Sequence, residues 1–402
     1  MNIDYVGLSC VGCRGCVQIC PLRCISFEEN IEGFLYPHID EGRCIQCGLC
    51  AGVCPVLYPY RNSISQRYFA AWATDRNLLM QSSSGGVFSV VAEEMIKNGA
   101  AVCACSYDEK SMPFHTITMS KEDLQLMRGS KYVQSNIGDA YLRIRELLKG
   151  DTRVFFVGTP CQVAGLYRFV GGENDLLYTA DIICHGVPSR PLFASYMKWL
   201  EGRHGGEIDH YRFRSKDRHA WSLTEQFYVR RPVGRMRKVE RIASLSPYYY
   251  GFLKGMLYRE CCYQCQYSNM TRPGDITLGD FWGVEEVASR NYNLDGVSAV
   301  IVNSQKGSWL MECIRHKLNL GEVTQNQISI HNGNLLRPTF RPAERNYVYV
   351  AWREHGFDWL ARQYLKSPDH LKDQIKNIIP NRIRQKIKHI KRSIMQERTA
   401  HV

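Results

Sequence analysis

Two cysteine runs near the start of the chain share one spacing: Cys10, Cys13, Cys16 and Cys20-Pro21, then Cys44, Cys47, Cys50 and Cys54-Pro55. Both read C-x2-C-x2-C-x3-C-P, a spacing that holds iron-sulfur cubanes, with the fourth cysteine of each run serving the other cluster. The pattern therefore assigns one 4Fe-4S cluster to Cys10, Cys13, Cys16 and Cys54, and a second to Cys44, Cys47, Cys50 and Cys20. A zinc knuckle or a disulfide framework is the competing reading, but C-x2-C pairs that bind zinc are separated by longer spacers.

Further along, Cys161 and Cys184 each follow an apolar, strand-like run, and Cys262 and Cys265 form another C-x2-C pair. Cys161 sits where a strand turns into a helix, so a nucleophilic thiol of lowered pKa is one reading and a buried structural cysteine another. A third is that Cys161, Cys184, Cys262 and Cys265 supply four thiolates to a further 4Fe-4S cluster, with Cys261 as a substitute within its pair and zinc as the competing metal. The stretch SSSGG, Ser82 to Gly86, combines hydroxyls with glycines ahead of a helix, which suits a bound anion and equally suits a plain helix cap. No G-x-G-x-x-G or G-x-x-x-x-G-K-[ST] fingerprint follows a strand, which disfavours ordinary Rossmann and phosphate-loop nucleotide binding.

The elements that must position these residues can be read from periodicity and punctuation. Between the runs, ISFEENIEGFLYPHID predicts a hairpin turning near Asn30 to Gly33, as in a small dicluster ferredoxin module of residues 1–60. A linker from Pro55 to Gln66, marked by Ser63 and Ser65, leads to an α/β domain of residues 66–342. Its strands are YFAAWAT (Tyr68 to Thr74), AAVCACSYD, TRVFFVG and LLYTADIIC, and its helices end at Gly99 and Gly150. Three strand-to-helix turns, at SSSGG, at Gly158 to Gln162 and at His185-Gly186-Val187-Pro188, predict the ligand crevice of an open sheet. His210 to Glu240 reads as an inserted antiparallel region, and GVSAVIVNSQKGSWLMECIRHKL as a strand and helix that close the sheet. Residues 343–402 read as a helical, basic extension. The expected class is α/β, or α+β over the whole chain.

Composition narrows the function classes. With 402 residues, 45% hydrophobic and 22% charged, the chain reads as an ordinary globular protein. It has no uninterrupted run of roughly 18 apolar residues, and MNIDYVGLSC carries no basic-then-apolar leader. Together with 17 cysteines, these features lead to the expectation of a reducing, cytoplasmic setting. The net charge of +12 suits an acidic redox partner, and no recognition motif supports nucleic acid. In NRIRQKIKHIKRSIMQER, Asn381 to Arg398, the isoleucines fall near a helical period. Such a tail can touch a membrane surface or pack on its own domain.

SSSGGVFS (Ser82 to Ser89), GSKYVQS (Gly129 to Ser135), GTPCQVAGL (Gly158 to Leu166), ICHGVPS (Ile183 to Ser189) and CYQCQYSNMTRPGDITLGDFWG (Cys262 to Gly283) resemble, in this order, the coenzyme F420 hydrogenase/dehydrogenase beta-subunit family. The resemblance implies FAD in the α/β domain, fed by iron-sulfur clusters. It places flavin contacts at Ser83, Ser84, Gly85 and Gly86, at Lys131 and Tyr132, and at Gly158, Thr159 and Gln162, and makes Cys161, Cys184, Cys262 and Cys265 ligands of a cluster near the flavin. The activity implied is oxidoreduction: electrons pass from a ferredoxin or flavodoxin through the clusters to FAD, and a hydride moves to or from a small-molecule substrate, coenzyme F420 or an unidentified metabolite, one of a polysaccharide pathway among the candidates. Lys131 is the candidate to stabilise reduced flavin, and His185 the candidate proton donor, with a turn-fixing role as its alternative. The other functional class is an electron-transfer subunit that serves a partner enzyme and has no substrate of its own. His210 to Tyr250 falls outside the family's motifs.

Overall fold

A computed structural model describes residues 2–62, 66–231, 234, 236–379 and 383. The linker serines Ser63 and Ser65 lie outside these residues, as does the basic tail except for Ile383.

Each C-x2-C-x2-C loop runs into a short helix, α1 (Gly15–Ile19) or α2 (Leu49–Gly52), through a left-handed residue, Arg14 or Gly48. Between them, β1 (Ile25–Glu29) and β2 (Leu35–Ile39) pair antiparallel around a turn where the Asn30 Oδ1 accepts the amide N–H groups of Glu32 and Phe34. The repeated spacing has thus become a repeated loop-helix unit with a hairpin at its centre.

The larger part begins with β3 (Arg67–Ala73), α3 (Arg76–Gln81), α4 (Val87–Lys97), β4 (Ala101–Tyr107), β5 (Pro113–Thr118), α5 (Leu124–Met127) and α6 (Ala140–Lys149). It continues with β6 (Val154–Gly158), α7 (Pro160–Val170), β7 (Leu177–Ile182) and α8 (Arg190–His204). Strands β8 (Glu207–Arg212), β9 (Thr224–Arg230) and β10 (Arg237–Ile242) form a separate antiparallel sheet, and β11 (Ile276–Asp280), β12 (Ser298–Val302) and β13 (Leu318–Val323) complete the main one.

The main sheet has the order β13-β3-β12-β11-β7-β6-β4-β5. Strands β4, β6, β7 and β11 are parallel, β12 opposes β11, and β3 opposes β12, so β3 points with the parallel group. The carboxyl ends of β3, β4, β6, β7 and β11 consequently share one edge, which is where an open sheet binds its ligand. Adjacent residues of β6 face opposite layers. Phe155 joins α4 and Leu310 in one core, whereas Val154 and Phe156 join α6 and α7 in the other. Covering on both faces explains the unbroken apolar run in VFFVG.

Two expectations change. The GVSAV strand is interior rather than closing, because β3 and β13 continue the sheet beyond it. Residues 343–379 are helical as expected but part of a core rather than an extension of it: the helix Arg345–Gln363 buries Val348, Tyr349 and Leu360 in one core with α8, β9 and Phe34 of the amino-terminal hairpin. The hairpin is also held by Arg345, which donates both terminal nitrogens to Glu32 at 2.6 Å. Among the described residues, no helix is long and apolar enough to cross a membrane.

Candidate redox site

The chain's first chemistry lies in the two cysteine runs. Cys54 comes beside Cys10, Cys13 and Cys16: burial pushes the Cys13 thiol up, and Cys16, Cys54 and Cys10 oppose its ionisation further. Cys20, Cys44, Cys47 and Cys50 line a separate cavity of about 20 Å³. Thiols packed so that each resists the ionisation of the next suit a shared cationic core, which alone makes the thiolates favourable. Among the described residues, no three His, Cys, Asp or Glu side chains converge on a point for a single ion.

The two groups differ in setting. Cys10, Cys13, Cys16 and Cys54 are all buried, while Cys47 is exposed. Helix α7 explains the difference. A Cβ on its Gly165 would fall 3.3 Å from both the Cβ and the Sγ of Cys13, so glycine allows the helix to rest directly on the first cysteine group.

One turn earlier on the same helix stands Cys161, behind a capping box in which the Thr159 N–H donates to the Gln162 Oε1 at 2.9 Å. Cys184 lies two residues beyond β7, and Cys261, Cys262 and Cys265 lie in and just after the 3-10 turn Glu260–Gln264. All five line one cleft of about 720 Å³ at the shared carboxyl edge, a size within the usual ligand range of about 300–1,000 Å³. Burial lifts the Cys161 thiol to about 12, and neighbouring Cys265 and Cys261 contribute to that rise. Burial thus works against the lowering expected at a helix start. Cys261, which the sequence offered only as a substitute, lies close enough to oppose the ionisation of Cys161, Cys265 and also Cys10.

The predicted flavin-contact residues gather at the same cleft, with several of their polar groups already engaged. The Ser84 hydroxyl donates to the Val297 carbonyl at 2.8 Å, and the Ser83 hydroxyl accepts the Ser130 N–H at 2.7 Å. Gly85 packs beneath the loop, where a Cβ would fall 2.1 Å from the Ala71 carbonyl oxygen; its glycine serves close contact with the sheet. Gly86, at φ +84, caps α4. Lys131 donates to the carbonyls of Met127, Arg128 and Gly129 at 3.1, 3.1 and 3.2 Å, and burial pushes its pKa down to about 8. Tyr132 stacks on Phe252 with ring centroids 4.4 Å apart. Gly158 and Thr159 lie on the cleft, and the Gln162 amide donates to the Ser135 hydroxyl at 3.0 Å. His185 opens onto the cleft; surrounding protein lowers its proton affinity, and Asp280 opposes that effect.

Sequence reading missed the residues that tie these loops together. Arg214, between β8 and β9, donates to both oxygens of Asp280 at 2.6 and 3.1 Å, to the Ser83 carbonyl at 3.1 Å and to the Tyr132 hydroxyl at 3.3 Å. The Trp221 indole also donates to Asp280, and its ring stacks on Trp282 with an interplanar angle of 3°. GDFWG was conspicuous in the sequence, but nothing in it identifies the arginine, some 66 residues earlier, that neutralises its aspartate. Cys24 was missed as well: its Sγ lies 3.4 Å from that of Cys20.

The family model for the amino-terminal part of the coenzyme F420 hydrogenase/dehydrogenase beta subunit matches residues 68–140, and the model for its carboxyl-terminal part matches residues 151–326. Together they span more than half of the chain, and the second runs through His210 to Tyr250, which thus lies within the shared domain. A 4Fe-4S dicluster domain matches residues 9–57. An uncharacterized protein of Methanocaldococcus jannaschii is 26% identical over 201 residues, 42% of this chain and 54% of that protein. A coenzyme F420-dependent sulfite reductase of the same organism is 28% identical over 162 residues, 40% of this chain and 25% of that enzyme. The chain thus spans about half or less of the length of these two relatives. A chain from the F420-reducing NiFe hydrogenase complex of Methanosarcina barkeri aligns at 16% identity with a TM-score of 0.44, over 69% of this chain and 88% of that one.

Proposed function

This chain belongs to the coenzyme F420 hydrogenase/dehydrogenase beta-subunit family, and we propose that it is an iron-sulfur flavoprotein oxidoreductase that relays electrons between a redox partner and FAD. In this reading, Cys10, Cys13, Cys16 and Cys54 hold one 4Fe-4S cluster, Cys20, Cys44, Cys47 and Cys50 a second, and Cys161, Cys184, Cys262 and Cys265 a third. The observation that carries it is the single cleft, which puts the third cysteine set beside Ser83, Lys131, Tyr132 and His185. When bound, the clusters supply single electrons and FAD exchanges them for a hydride.

The chain's own groups prepare that exchange. Three carbonyls fix the Lys131 ammonium, which keeps its positive charge at pH 7 and favours an anion in the cleft. His185, whose proton affinity burial lowers, is the group at the mouth that would hand a proton to substrate. Arg214 with Asp280 keeps the SSSGG loop, Tyr132 and the GDFWG turn in register. The substrate is coenzyme F420 or a metabolite, and the donor an acidic ferredoxin or flavodoxin drawn to a basic protein. A relay without its own substrate is the second reading, favoured by the match of 40% of this chain to only 25% of a larger reductase.

An anaerobic preparation of the full chain tests the proposal. About twelve irons per chain and bound FAD are expected; about eight irons would remove the third cluster, and absence of FAD would remove the flavoenzyme reading. Reduction of coenzyme F420 by the dithionite-reduced protein separates that substrate from an unidentified metabolite.

A further inference from the structure

Most large buried cations in this protein have a carboxylate: Arg272 pairs with Asp181 at 2.7 Å, Arg345 with Glu32 at 2.6 Å, and Arg214 with Asp280 at 2.6 Å. Arg259 is equally buried, at 0% exposure, and among the described residues no carboxylate pairs with it. Its Nε donates to the Cys10 carbonyl at 2.6 Å, one terminal nitrogen to the Gln134 Oε1 at 3.2 Å, and the other to the Leu35 carbonyl at 2.9 Å. Its guanidinium lies 4.1 Å over the Tyr36 ring and 5.4 Å over that of Phe34. Every one of these partners is neutral. A buried charge without a counter-charge is strongly unfavourable, and hydrogen bonds to neutral acceptors offset only part of that cost.

Thiols flank this cation: the guanidinium is within hydrogen-bonding reach of the Cys10 thiol, of the first cysteine group, and of the Cys261 thiol, beside Cys262 of the cleft group. The approach is built in from the other side as well. Gly12 sits at φ +69, and a Cβ there would fall 2.5 Å from the Gln134 Nε2 and 3.2 Å from the Arg259 guanidinium. The loop between Cys10 and Cys13 is therefore shaped to admit Gln134 and Arg259.

We propose that Arg259 is the shared counter-charge of two clusters, the one at Cys10, Cys13, Cys16 and Cys54 and the one at Cys161, Cys184, Cys262 and Cys265, and that it raises both reduction potentials above the value each would have without it. The inference rests on the cluster assignment proposed above. A cluster held by four thiolates is net anionic and becomes more so on reduction, so a fixed neighbouring cation favours the reduced state. Burial strengthens the effect, because little water screens it. The cluster at Cys20, Cys44, Cys47 and Cys50 lacks this neighbour, so Arg259 biases electrons toward the inner two.

The test is a reductive titration of the full, cluster-loaded chain followed by electron paramagnetic resonance, with iron and sulfide counted on each sample. In Arg259→Met, the two flanking clusters should move to more negative potential while the outer one stays in place, and Arg259→Lys should restore most of the shift. Gln134→Glu sets a carboxylate against the same guanidinium without removing it, and should move the same two potentials in the same direction by less. It decides the matter if Arg259→Met does not fold. Unchanged potentials in loaded variants would overturn the proposal, as would an equal shift of all three clusters. A wild-type chain with about eight irons would show that the third cluster is missing; the cluster at Cys10 should then still respond to Arg259.

Discussion

The two cysteine runs are nearly interchangeable as sequence and different as structure. Both carry the same spacing, end in Cys-Pro and enter a short helix through a left-handed residue. Yet Cys13 lies under Gly165 of α7, a turn from Cys161, whereas Cys47 faces solvent. A local repeat sets ligand geometry, and packing against the larger domain makes one copy the inner end and the other the outer end of a path. The difference arises from residues outside the repeat: Gly165, Arg259 and Arg345 all approach the hairpin or the first run.

The largest test of this asymmetry removes one thiol from each group. Cys13→Ser and Cys47→Ser should each lower iron from about twelve to about eight per chain. Both should interrupt reduction of the cleft by an external donor, and Cys13→Ser alone should also lower the melting temperature, because it opens the contact with α7. Cys47→Ser should leave the melting temperature close to wild type. Equal losses of stability in both variants would show that the inner group is not held by the larger domain.

The docking of the module is the next target. Arg345 is 2% exposed and Glu32 is 23% exposed as side chains, so Arg345→Met should cost about 3 kcal/mol, the lower end for breaking a buried pair. Urea denaturation reads the loss, and faster proteolysis near residues 55–66 would place it at the junction. Gly165→Val should cost less, about 1–3 kcal/mol, since overpacking is relieved by small shifts. It should slow electron delivery to the cleft even when all the iron is retained. A variant with wild-type stability and rate would remove α7 from the path.

Much of this arrangement was legible because its causes are local. The cysteine spacing, the hairpin at Asn30 to Gly33 and the glycine-marked strand ends depend on loop geometry and backbone conformation within a few residues. The parallel strands were legible as apolar runs because both sheet faces are covered. What could not be read depends on partners far along the chain. Asp280 is matched by Arg214, Glu32 by Arg345, and Cys10 by Arg259, across separations of 66 to 313 residues. SSSGG shows the limit of local reading: its serines and Gly85 looked ligand-directed, yet several of their groups hold the loop to Val297, Ser130 and the sheet. The C-terminal helix read as an extension because its interruption at Gly356 weakens the periodicity that would have marked a buried face.

The smallest effect separates the cleft from the module by pH. Burial holds the Lys131 pKa at about 8, below the free value of about 10.4. Between those two values the unfolded chain binds the proton and the folded chain has released it, so stability rises with pH across this window. Below pH 8 both states are protonated, and the penalty for the buried charge is constant. From pH 8 to 9 the gain should be about 1 kcal/mol, read as a shift of the urea midpoint between the two pH values. Lys216, held near 7 by burial with Arg214 beside it, adds a rise of its own across the same window. Lys131→Met should therefore shrink the wild-type rise by about 1 kcal/mol without abolishing it, while leaving the iron content unchanged. If the rise is as large in Lys131→Met as in wild type, Lys131 is not the titrating cation. If it shrinks as expected, the charge facing the cleft is the one that the carbonyls of Met127, Arg128 and Gly129 hold in place.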